Sequence, residues 1–95
     1  MRTTKDDRAW KVNERRIIAD ETTANGARFV LVQECTGFWC LDGTDPFFDF
    51  YVMSRRAHQT FWQQEVRKSR TAYFAKKAWA MRFFKDVVTA HRARE

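Results

Sequence analysis

At 95 residues the chain is too short for a second hydrophobic core, and at 44% hydrophobic and 16% aromatic it is too apolar to stay unfolded. One Pro and three Gly exclude a low-complexity linker, and no apolar run reaches the roughly 20 residues of a membrane-spanning helix. The net charge of +6 is unevenly placed: residues 1–54 hold seven Lys/Arg against nine Asp/Glu, while residues 55–95 hold eleven against three. The basic character therefore belongs to the C-terminal part, which should attract phosphate backbones or acidic protein surfaces.

Residues 1–8, MRTTKDDR, are polar and are expected to fray. They lack the apolar stretch of a signal peptide, so a reducing cytoplasm is the expected compartment and Cys35 and Cys40 are read as free thiols. Residues 9–53 read as an antiparallel sheet. The β-branched run over 15–23 leads into Asn25-Gly26, whose tolerance of positive φ predicts a type I′ hairpin into ARFVLVQE. Thr36-Gly37 predicts a second turn, FWCL a short third strand, and DGTDP a turn before FFDFYVMS. In that last strand Phe48, Phe50 and Val52 share one face, and Phe47, Asp49, Tyr51 and Met53 the other.

The periodicity changes at Ser54, a candidate N-cap, and residues 55–94 contain neither Gly nor Pro. Residues 54–94 are therefore expected to be helical. Two helices, near 55–69 and 71–92, are predicted with a break in KSRTAY, one continuous helix being the alternative. The expected fold is α+β: an N-terminal three- to four-stranded antiparallel sheet, then one long or two C-terminal helices packed on it.

At 100° per residue the first helix would gather Phe61, Trp62, Glu65 and Val66 on one arc. The second would carry Ala72, Tyr73, Ala80, Phe83, Phe84 and Val87 as an apolar stripe, widened by Phe74, Met81 and Val88, with Trp79 at its far edge. This arc is broader than one sheet face needs. Lys76 and Lys77 interrupt it, which argues against an interfacial membrane helix.

Catalytic chemistry finds little footing. Neither cysteine sits in a nucleophile context with His58 or His91, and there is no Gly-rich phosphate loop. Asp42, Asp45 and Asp49 fit a turn better than a calcium loop, and two Cys with two distant His do not make a zinc set. The reading is a non-enzyme with no metal and no cofactor.

What remains is binding. Phe74, Trp79 and Met81, with Lys77 and Arg82, form the candidate protein-contact surface, which would also serve a homodimer through the second helix. Arg55, Arg56, Arg67, Lys68, Arg70, Lys76 and Lys85 are the candidate contacts to nucleic acid or an acidic surface. In size, and in lacking chemistry of its own, the chain resembles the accessory inhibitors of phages and mobile elements, anti-CRISPR proteins among them. That resemblance rests on no motif, and it implies an inhibitor or modulator that occludes a nucleic-acid-handling protein. Direct, sequence-independent nucleic-acid binding is the alternative.

Overall fold

The computed structural model describes residues 9–39, 45–68 and 77–94. They form β1 (Arg15–Thr22), β2 (Arg28–Trp39), β3 (Asp45–Arg55), β4 (Gln63–Lys68) and α1 (Lys77–Ala93). The strands pair antiparallel in the order β1-β2-β3-β4, and the helix packs on one face of the sheet, an α+β fold.

The hairpin at Asn25-Gly26 forms with different turn chemistry from the one expected. Thr23 N–H donates to Ala27 C=O (2.8 Å), and Gly26 N–H donates to Thr23 C=O (3.0 Å). The loop is therefore three residues long, a tight turn closed by a single positive-φ residue, Gly26 at 87°. Asn25 contributes through its side chain instead, its Oδ1 accepting from Thr23 Oγ1 (2.6 Å) and Ala27 N–H (3.3 Å).

Thr36-Gly37 is not a turn, and Phe38 and Trp39, expected in a separate strand, belong to β2; Cys40 and Leu41 lie outside the described residues. β2 runs through to Trp39, with Cys35 opposite Phe48 and Gly37 opposite Phe47, so the extra residue is absorbed as a bulge. The alternation in β3 is as the sequence indicates. Phe50 and Val52 are buried beneath the helix with Phe48 packed beside them, whereas Tyr51 and Met53 lie with Val30 and Val32 on the other face.

The helix expected near 55–69 does not form over the described residues 55–68. β3 continues to Arg55, and after a turn residues 63–68 return as β4, with Val66 opposite Val52 and Gln63 opposite Ser54. Local composition favoured helix, but a central strand such as β3 has a second edge of N–H and C=O groups to satisfy, and β4 supplies the partners. Ser54 is accordingly no N-cap. It is wholly buried in β3, its hydroxyl donating to Glu65 Oε2 and accepting from Arg56 Nη1 (3.1 Å).

The core lies between the sheet and α1. Ala80, Phe84 and Val88, spaced i, i+4, i+8, pack on Ala27, Phe29, Leu31, Phe50 and Val52. Val88, expected at the side of the stripe, is at its centre; Phe83 and Val87, expected at its centre, flank it. A bulge at Ile18 sets Ile17 opposite Val32 and Ala19 opposite Leu31, which lets Ile18 and Ala19 both pack against this core. Residues before β1 are tied down as well: Arg16 stacks 3.6 Å from the Trp10 ring centroid, and Trp10 meets Phe48 edge-on at 4.8 Å. Among the described residues no helix is long and apolar enough to cross a membrane.

Candidate partner-binding surface

α1 is held to the sheet along one side, so its opposite side is fixed by the helical repeat. The core-facing direction is centred on Phe84, and Trp79 and Arg82 lie about 140° and 160° away from it. Trp79 is 59% exposed, the most exposed of the large described aromatics. Arg82 is exposed about 60° from it around the helix; Lys77 and Lys85 are exposed too, but lie about 160° and 120° from Trp79 around the axis, Lys85 on the β1 side, and none of the three is ion-paired among the described residues. Asp86 is the one carboxylate on this described face, one and two turns from Arg82 and Trp79.

Met81 does not belong to this surface as expected. It is half-buried and packs against the core from the β1 side, so the helix spends it on the fold. Phe74, Lys76 and Arg70 lie outside the described residues, as do the side chains of Arg67 and Lys68 and the anticipated break at Ser69. Arg67 is placed by backbone register alone, opposite Tyr51. Of the expected partner contacts, Trp79 and Arg82 stand together on the outer face of α1, whereas Lys85, expected among the phosphate contacts, stands on the β1 side.

The arginines of the sheet half are differently disposed. Arg28 donates from Nε and Nη2 to the two carboxylate oxygens of Asp20 (3.0 and 2.6 Å), and these bonds hold the Asp20 carboxyl below its ordinary range against a smaller opposing effect of burial. Arg16 pairs with Glu14 (3.0 Å), Arg92 with Glu21 (2.9 Å), and Arg15 and Arg56 approach Glu34 and Glu65 at 3.8 and 3.9 Å. Arg55 and Arg56, expected on a helix among the phosphate contacts, stand at the end of β3 and in the turn after it.

A second surface was not legible in the sequence. The sheet face away from α1 carries Val30, Val32, Tyr51 and Met53, and with Ile17 and Trp62 these line a shallow groove of about 390 Å³. Trp62 stands at its end with the guanidinium carbons of Arg55 and Arg28 at 5.2 and 5.6 Å from the ring centroid. The cue that could have shown it is the alternation of Val30, Val32 and Tyr51, Met53 on the face opposite the helix. Trp62 itself carried no such cue, since its position follows from the β3–β4 turn.

Among the described residues no group of three His, Cys, Asp or Glu side chains comes together as metal ligands. Cys35 is a buried free thiol with its Sγ 3.5 Å from Gly37 C=O, and Cys40 lies outside the described residues. Asp49 is buried, while Asp42 and the side chain of Asp45 are not described. No family model, curated protein sequence or solved structure matches this chain.

Proposed function

We propose that the protein is a small non-catalytic binding protein that occludes an acidic surface of a protein partner through the outer face of α1. The observation that carries this reading is Trp79, a large ring left mostly in solvent on the side opposite the core, with exposed Arg82 about 60° from it around the helix and not ion-paired among the described residues. Trp and Arg are common energetic anchors of protein interfaces. A partner that handles nucleic acid would present such an acidic area beside, rather than within, its own phosphate-binding groove, and binding there would modulate it by steric occlusion.

Direct nucleic-acid binding is the second reading, favoured by the basic excess of residues 55–95 and the exposed ring. It is the weaker one, because five arginines, Arg15, Arg16, Arg28, Arg56 and Arg92, already face carboxylates within 4 Å, which leaves no broad phosphate track among the described residues.

The test is affinity capture from the native host lysate with wild type, Trp79→Ala and Arg82→Glu, each with and without nuclease. The reading expects a protein retained by wild type, lost from both variants and indifferent to nuclease. Retention that disappears with nuclease transfers support to nucleic acid, and retention unchanged by both substitutions refutes the assignment to this face.

A further inference from the structure

A second feature lies beside α1 and apart from the Trp79 face. β1 is an edge strand of the sheet, and α1 packs mainly over β2 and β3. Between β1 and α1 runs a groove of about 500 Å³. Its floor is apolar, formed by Ala19, Met81, Phe84 and Val88, and Lys85 and Arg92 stand on its helical rim.

The backbone of β1 supplies the other half of the site. Because Thr23 N–H donates to Ala27 C=O, the antiparallel alternation makes Glu21 and Phe29 a hydrogen-bonded pair and turns the N–H and C=O of Asp20 and Thr22 away from β2. No main-chain bond among the described residues takes up these outward groups. The bulge at Ile18 ends the regular edge, so the free template is residues 19–22, alongside the apolar floor.

We infer that the protein takes an extended, acidic peptide segment of its partner as an added strand on β1, in the groove between β1 and α1. Main-chain hydrogen bonds to Asp20 and Thr22 hold the segment, alternate apolar side chains enter against Met81, Phe84 and Val88, and a carboxylate meets Lys85. The charge preference follows from the existing pairs. Asp20 is satisfied by Arg28 and Glu21 by Arg92, which leaves Lys85 as the groove's cation without an ion pair among the described residues. A second copy fits poorly, since antiparallel self-pairing about Asp20 or Glu21 sets that carboxylate opposite its own copy. This inference rests on the reading of the chain as a binding protein, but on residues other than Trp79.

The experiment uses the isotope-labelled full chain and two synthetic probes of roughly ten residues, the length of a long strand, alternating Val with Glu or Val with Lys. With the Glu peptide at about 1 mM, amide exchange of Asp20 and Thr22 should slow at least about tenfold while the Met81 and Val88 methyl signals move, and the Lys peptide should do so less. Thr22→Pro removes an outward donor without touching the ladder to β2, and should weaken Glu-peptide binding about tenfold. Lys85→Glu should reverse the preference between the peptides, and Trp79→Ala should leave it unchanged.

Unprotected Asp20 and Thr22 amides with both peptides overturn the inference, as does an unchanged preference in Lys85→Glu. Shifts confined to the Trp79 face overturn strand addition while leaving the proposed function standing. Protection of β1 that grows with protein concentration in the absence of peptide identifies a second copy as the occupant, and likewise overturns it.

Discussion

Truncating Trp79 and Phe84 separately distinguishes the helix's outer face from its packed one. Phe84 is 3% exposed and is the middle residue of the Ala80, Phe84, Val88 row that holds α1 to β2 and β3. Phe84→Ala removes most of a buried ring and leaves a cavity that the two layers cannot fully close, at a cost of about 3–5 kcal/mol. For a domain of this size each kcal/mol lowers the melting temperature by roughly 4–8 °C, so the midpoint should fall by about 12 °C or more. Trp79, at 59% exposed, has no such shell to lose. Its truncation should change stability by no more than about 1 kcal/mol, or roughly 4–8 °C. Thermal unfolding followed by far-UV circular dichroism measures both, with partner capture measured on the same samples. Comparable melting losses in the two variants would refute the placement of Trp79 on an outer face, and with it the proposed contact surface. Met81→Ala, by contrast, should reduce stability more than Trp79→Ala does, because Met81 packs on the core.

Three further predictions test the frame that presents these surfaces. Gly26→Ala should cost about 1–2 kcal/mol by chemical denaturation, since φ is 87° and the added Cβ would stand 3.0 Å from Ala57 Cβ; an unchanged midpoint would contradict the turn. Ser54→Ala strips a fully buried hydroxyl from between Glu65 and Arg56 and should cost about 1–3 kcal/mol; a neutral effect would mean those groups are satisfied without it. The Asp20 carboxyl should titrate below its ordinary range by carbon-detected NMR and move up in Arg28→Ala. Because the folded-state pKa is the lowered one, the pair's contribution is present above the unfolded value of 3.8 and is lost as pH falls through the folded value. That contribution is small and salt-sensitive, both side chains being about two-fifths exposed; an Asp20 titration unmoved by Arg28→Ala would refute the bidentate contact.

Where sequence and structure part company, the cause can be traced residue by residue. Asn25-Gly26 announced a hairpin because a positive-φ glycine between two β-branched runs has few other uses, yet the turn type depended on one extra pair, Thr23 with Ala27. QQEVRK has the composition of a helix, and nothing local distinguishes it from one. It became β4 because β3 presented an unpaired edge, and Val66 could come opposite Val52. Thr36-Gly37 looked like a stop, but an antiparallel ladder absorbs one surplus residue as a bulge and continues.

The candidate site shows the same division. Helical spacing set the relative angles of Trp79, Met81, Arg82 and Phe84 from the sequence, since 100° per residue is a property of the backbone. Which of those directions faces the sheet is not a local property, and burial chose Phe84 over Phe83 and drew Met81 inward. Likewise, the number and sign of charges were readable, but their pairing was not. Asp20 with Arg28 and Glu21 with Arg92 meet only because β1, β2 and α1 are brought together, a contact across as many as 71 residues for the second pair. The sequence by itself thus determined the α+β class, the first hairpin, the face alternation of β3 and the existence of an amphipathic C-terminal helix, all consequences of short-range backbone geometry. Only the tertiary structure decided β4, the exposure of Trp79 and the groove between β1 and α1, because each depends on which surfaces are left over once the layers have packed.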